Sequence, residues 1–261
     1  MKKFYFFLVI AIMAMATSAS AQFVQSGANN QSRNNNQSGN FFSQMSTDNY
    51  SRIYVGYNPT KIKWDDYQSE LEKLFPLKHG VSLGYIYGAN IVDSLPLYIE
   101  FGGNFQYSFG KEEIEEGDED EDFYLLRKYK LNMYSLNVPV NLAFRFGFND
   151  NKVEITPYLG LNFRVNLAAN MKEEYEMVED YYGESSGSSD ENLFDSDEER
   201  GDIFKRFQVG FNVGVNFAFS GFNIGVGYTT DFNKICRNDY DNDDDFGGKL
   251  GVTTLSVGFS F

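Results

Sequence analysis

Residues 206–219 read RFQVGFNVGVNFAF. Phe207, Val209, Phe211, Val213, Val215, Phe217 and Phe219 take one set of alternate positions. Gln208, Gly210, Asn212, Gly214, Asn216 and Ala218 take the other. A strand sends successive side chains to opposite faces, whereas a helix would smear these residues around all sides. One face is therefore large and apolar and the other small and polar. That combination suits the wall of a narrow membrane barrel, with lipid outside and a filled lumen inside.

The same period of two recurs along the chain. It places strands near 50–58, 80–88, 95–109, 129–148, 153–168, 204–219, 221–232 and 249–261. The lipid faces carry, among others, Ile53, Val55, Tyr57, Leu83, Phe101, Phe105, Val138, Val140, Leu142, Leu159, Leu161, Ile224, Val226, Leu255 and Val257. Most segments reach the ~9–11 residues that a tilted strand needs to cross a bilayer. Long links (59–79, 110–128, 169–203, 233–248) alternate with short ones (89–94, 149–152 and Ser220-Gly221). A water-soluble sandwich has no reason to keep that alternation, whereas outer-membrane barrels put short turns in the periplasm and long loops outside. The expected fold is an all-β, eight-stranded antiparallel up-and-down transmembrane β-barrel with long extracellular loops and short periplasmic turns. Aromatic residues gather near the strand ends, where amphipathic rings favour the membrane interface. Tyr57, Tyr107, Phe109, Phe207, Tyr228 and Phe232 fall at the outer rim. Tyr85, Tyr87, Phe146, Phe219, Phe222 and Phe261 fall at the inner one.

The start of the chain supplies the route. Lys2 and Lys3 precede an apolar run from Phe4 to Ala16, too short to span a bilayer, and Ala19-Ser20-Ala21 offers a cleavage site. Residues 1–21 read as a signal peptide, with the mature protein starting at Gln22. Residues 22–49, rich in Asn, Gln and Ser, read as a flexible segment ahead of a barrel over 50–261. A mean hydropathy of −0.40 would suit a soluble protein, but a wall that alternates lipid-facing and lumen-facing residues dilutes its own hydropathy. Cys236 is the only cysteine, which excludes an intramolecular disulfide and reads as an incidental loop residue.

Inward parity selects six charged residues. Arg52, Glu100, Arg145 and Glu154 project into the lumen near the periplasmic strand ends, and Arg164 with Asp231 sits higher. Buried charges without partners are costly, so these six are expected to pair and plug the lumen. Catalysis is not expected. His79 is the only histidine, at the outer rim on the lipid face, and Ser82 lies on the opposite face of the same strand.

The charge concentrates in three long links. Residues 110–128 hold nine acids against three bases, 169–203 thirteen against two, and 233–248 five against two. Together they carry −20, against −15 for the whole chain. Such stretches cannot bury enough apolar surface to fold alone and read as solvated, mobile loops. Link 59–79 differs: Asp66, Tyr67, Leu71, Leu74 and Phe75 suggest a short amphipathic helix near the membrane surface. Asp239, Asp241, Asp243 and Asp245 resemble the opening of a Ca²⁺ loop, but an EF-hand needs Gly and Glu where Asp244 and Leu250 stand. Weak binding of Ca²⁺ or Mg²⁺ is the most this run implies, and no other cofactor is expected.

Three stretches also resemble a known family. LNVPVNLAFRFG (136–147) and VEITPYLGLNFRVNLA (153–168) resemble consecutive strands of the PorT-like outer-membrane β-barrels of Bacteroidetes. TTLSVGFSF (253–261) resembles the C-terminal strand, here with Phe259 and Phe261, by which such barrels are recognised for insertion by the barrel-assembly machinery. The resemblance covers residues 50–261 and implies an OmpX-like architecture and an outer-membrane address, with no catalytic residue to carry over. Two functional expectations follow. The first is a non-enzymatic surface barrel whose acidic loops meet cations, lipopolysaccharide or a protein partner. The second is an anchor in a transport or type IX-like secretion assembly. No nucleic-acid partner is expected.

Overall fold

The structure is a computed structural model and describes residues 47–64, 71–117, 123–148, 152–179, 183–194, 204–236 and 247–261. The elements are β1 (Tyr50–Tyr57), β2 (Thr60–Lys63), α1 (Leu71–Leu74), β3 (His79–Asn90), β4 (Leu97–Gly117) and β5 (Phe123–Phe144). They continue with β6 (Phe146–Phe148), β7 (Val153–Glu179), β8 (Gly183–Asn192), β9 (Phe207–Phe219), β10 (Phe222–Asp231) and β11 (Lys249–Ser260). Eight of them close an antiparallel ring in the order β1–β3–β4–β5–β7–β9–β10–β11, with β11 pairing back onto β1 from Arg52↔Ser260 to Tyr57↔Leu255. Closure leaves the wall no open edge in the lipid, where an unpaired backbone group would be costly.

Side-chain parity builds the wall as expected. Leu83, Leu159, Leu255 and Val140 are exposed on the outside, while Asn137, Asn162, Gln208 and Asn212 are buried inside. Ser220 and Gly221 form a two-residue hairpin with φ of 49° and 89°, joining Phe219 directly to Phe222. Two consecutive left-handed residues give the turn whose twist matches the flanking strands. Several wall glycines make room for lumen tyrosines. A Cβ on Gly84 would lie 2.3 Å from the Tyr54 ring, and one on Gly88 would lie 2.4 Å from Tyr50.

Three expectations need correction. Links 110–128 and 169–203 are not loops throughout: β4 runs to Gly117, β5 starts at Phe123, β7 continues to Glu179, and β8 adds along β7. At 21, 22 and 27 residues, β4, β5 and β7 are far longer than the ~10 that cross a bilayer, so their upper halves form an external sheet with β8. The acids fail to prevent this because the wall strands below already set the register. Lysines then fall beside glutamates, as in Glu113↔Lys128 and Lys128↔Glu174. A register shift at Tyr134/Ser135 leaves Leu167 as an extra residue where β7 leaves the wall.

The helix in link 59–79 is a single described turn, Leu71–Leu74, preceded by strand β2. Asp66 and Tyr67 lie outside the described residues, as do 1–46, 118–122, 195–203 and 237–246. The third correction concerns Cys236, which is buried and unpaired within an apolar cap at the outer mouth of the barrel. That cap joins Ile62, Leu77, Leu131, Met133, Ala169, Leu193, Phe194, Phe204, Ile235, Leu250 and Val252, with Trp64, Phe75 and Met171 packed against them. Backbone bonds stitch it together: Leu193 N–H donates to Ala169, Phe204 N–H to Leu193, and Ile235 N–H to Gly248.

Candidate functional site

The lumen is filled by a layered polar network. At its base the Tyr50 hydroxyl donates to Glu100 Oε1 at 2.6 Å, and Arg52 Nη2 donates to the same oxygen at 3.2 Å. Asn141 donates to Glu100 Oε2 at 3.2 Å and accepts from Asn212 at 3.0 Å. Asn216, with its amide oxygen turned toward Arg52, accepts from Nη1 at 3.1 Å. At the periplasmic mouth Arg145 makes a two-pronged contact with Glu154, at 3.0 and 2.7 Å, and lies over the Tyr50 ring. Higher up, Arg164 Nη1 donates to Asp231 at 2.8 Å and its Nε to Asn137 at 2.9 Å. Asn137 itself donates to Asn104 and Gln106, each at 3.4 Å.

The six charged positions selected by parity thus stand as three ion pairs. Sequence reasoning put Asn212 on the inward face but passed over Tyr50, Asn104, Asn137 and Asn141. For the asparagines the signal was available as asparagine at inward parity on successive strands. Between the two charged layers lies a polar cavity of about 70 Å³, lined by Arg52, Tyr158, Asn212 and Arg164 among others, roomy enough for a few waters.

At the outer rim His79 Nδ1 lies 2.6 Å from the Tyr57 hydroxyl, and its ring packs against Tyr57 and Phe109. Ser82 is buried on the lumen side. The two therefore point away from each other, and this pair offers no nucleophile–base contact.

The external sheet carries alternating acids on both faces. On the outward face Lys172 and Lys130 reach Glu174 at 2.9 and 3.3 Å, and Lys128 reaches Glu176 at 3.6 Å. Lys172, with Lys130 beside it, holds the Glu174 carboxyl below its ordinary range. On the inward face Tyr129 donates to Glu173 at 3.1 Å, and Lys78 pairs with Glu112. Among the described residues no three His, Cys, Asp or Glu side chains converge as a metal site would require. Asp239, Asp241, Asp243 and Asp245 lie outside the described residues. Phe259 faces lipid on β11, and Phe261 follows it, its backbone exchanging both bonds with Ser51.

A closed, apolar-outside, polar-inside ring with short turns at one end and extended strands at the other defines a transmembrane β-barrel of outer-membrane type. The family model of the outer membrane protein beta-barrel domain matches residues 6–261, and the chain belongs to that family. Among solved structures it is similar to Ail, the attachment invasion locus protein of Yersinia pestis, in complex with the heparin analogue sucrose octasulfate. That match has 17% identity, covers 82% of this chain and 99% of that one, and has a TM-score of 0.33. It is also similar to a major outer membrane protein from Thermus thermophilus, at 11% identity, over 81% and 99% of the two chains, with a TM-score of 0.31. Comparison with curated proteins gives no match. The protein is an outer-membrane β-barrel.

Proposed function

We propose that this barrel is a non-enzymatic surface receptor whose stiff, acid-rich external sheet takes up an extended, basic segment of a partner protein. The observation that carries this reading is the outer edge of β8. Among the described residues β8 pairs with β7 alone, so its other edge presents unpaired backbone donors and acceptors. Natural edge strands are commonly blocked with charged residues, lysine above all, or with proline, and the central run of β8 from Ser185 to Ser189 is uncharged. The sequence GESSGSSDEN contains neither lysine nor proline, and its small serines and glycines let another backbone approach. Strand addition at such an edge draws affinity from main-chain bonds and selectivity from flanking side chains. Here Glu184, Asp190 and Glu191 favour a basic guest.

Collective cation binding by the acids is a weaker reading for the sheet, because its glutamates point to both faces and several already engage lysines. A PorT-like role as the anchor of a secretion assembly is the second reading, supported by the strand motifs at 136–147 and 153–168.

Surface cross-linking on intact cells separates the two. Wild type would be compared with Ser186→Lys/Ser188→Lys, which blocks the edge without touching the barrel. Capture of a surface protein that falls about tenfold or more in the variant, a change worth ~1.4 kcal/mol, supports strand addition. Capture of a secretion complex equally by both proteins supports the anchor instead.

A further inference from the structure

We propose that the polar cavity enclosed in the lumen is a binding site for one small monovalent anion of halide size, held between Arg52 and Arg164. The site is separate from the partner surface of the external sheet and does not depend on it. Arg52 is 6% and Arg164 1% exposed, and both side chains line this cavity of about 70 Å³. Their carboxylate partners, Glu100 and Asp231, do not line it. Among the described residues every charged side chain in the lining is an arginine. The two ion pairs thus present their cationic ends to one enclosed space and keep their anionic ends behind its wall.

The donors facing this space are only partly used. A guanidinium carries five N–H donors in a fixed fork. Arg164 spends Nη1 on Asp231 and Nε on Asn137, and its Nη2 makes no hydrogen bond with the described residues. Arg52 meets Glu100 through Nη2 alone, at 3.2 Å. The Tyr54 hydroxyl accepts from Asn104 at 2.9 Å and keeps its own proton to give. The Tyr158 hydroxyl has no hydrogen-bond partner among the described residues.

Buried donors without acceptors are costly, and a low-dielectric wall strengthens their attraction for an anion while repelling cations. Asn58 supplies the opposite need. Its Nδ2 donates to Thr254 at 2.9 Å, but its buried Oδ1 has no protein partner. A water that donates one proton to the anion and the other to Asn58 Oδ1 satisfies both, and the volume holds one halide ion with a few waters. A doubly charged anion would lose more hydration than two already paired arginines return. The cap covers the mouth above and the Arg145–Glu154 pair stands across the mouth below, so the anion enters as the barrel closes and exchanges slowly afterwards.

The barrel would be refolded in detergent in sodium bromide, or in sodium gluconate of equal ionic strength. Crystals from the bromide sample, measured at the bromine absorption edge, should show an anomalous peak inside the cavity, in contact with Arg52 or Arg164. Ser256 lines the same cavity, and Ser256→Met fills it without removing a charge. That variant should lose the peak. An ion that binds only the folded state raises the folding constant by one plus the ratio of its concentration to Kd. With bromide tenfold above Kd, urea unfolding should report a folding constant about tenfold larger than in gluconate for wild type, and no difference for Ser256→Met. Bromide peaks confined to the outer surface, with only water in the lumen, overturn the proposal on wild type alone, whether or not the variant folds. A bromide advantage kept in full by folded Ser256→Met overturns it as well, by tracing the effect to the surface.

Discussion

The lumen and the cap are built on opposite rules from the same strands. On the inward face of β5, Asn141, Asn137 and Ser135 give way to Met133 and Leu131 as the strand climbs. On β7 the sequence is Asn162, Arg164 and Asn166, then Ala169 and Met171. On β11, Ser256 and Thr254 give way to Val252 and Leu250. Below the switch, apolar groups gain nothing by turning inward because lipid already shields them, and the interior is held by hydrogen bonds and ion pairs. Above it water surrounds the chain, and burying apolar area again becomes the driving force. The level at which inward residues change character marks where the barrel leaves the bilayer.

The most damaging way to break this contrast is in the lower lumen. Glu100 accepts from Tyr50, Arg52 and Asn141 and is fully buried. Glu100→Arg would set two buried guanidiniums side by side, at a cost of ~3–5 kcal/mol. The urea midpoint of the refolded barrel should fall accordingly, and a wild-type midpoint would mean that Glu100 does not hold the base together. A smaller and more local effect is expected above the switch. Leu131→Asn places an amide among apolar neighbours, losing packing and gaining an unpaired polar group, at ~2–4 kcal/mol. Hydrogen exchange should rise at Phe204, Ile235 and Leu250, while the wall amides of β9 and β10 stay protected. Equal loss of protection in the wall would show that cap and lumen are one cooperative unit.

What the sequence reveals follows from this division. The wall is legible because lipid outside and a narrow lumen inside force a strict period of two, as in Phe207–Phe219. Height and parity together put Arg52 with Glu100 and Arg145 with Glu154 on one face at one end. The cap is not legible by the same means. Leu77, Ile235 and Cys236 come from links without periodicity, Phe204 precedes the strand start at Phe207 although the pattern extends the strand to 204, and their meeting depends on how these separate connections fold over the mouth. The external sheet escaped for a different reason. Composition alone says that 110–128 and 169–203 cannot fold by themselves, but β4, β5 and β7 deliver those residues already in register, so nucleation has been achieved below.

The smallest effect sharpens the description of the cap most directly, through Cys236. Burial pushes its thiol up from an ordinary 9.0 to about 11, with Lys205 and a bond to the Gly248 backbone opposing that shift. The thiolate is the reactive species, so at pH 8 Cys236 should react with a membrane-impermeant maleimide far more slowly than an exposed cysteine does. The sign of the pH dependence follows. A group whose folded pKa is raised favours the folded state while protonated, so its contribution to the cap is complete below about pH 9 and is lost as pH climbs toward 11. Labelling should therefore accelerate across that window by more than thiolate formation on a free thiol predicts, because the cap opens as well as ionises. Leu131→Asn should shift the acceleration to lower pH. If wild type labels at pH 8 as fast as a small-molecule thiol, the links do not close over the mouth, and the lumen's polar network faces the outside without a lid.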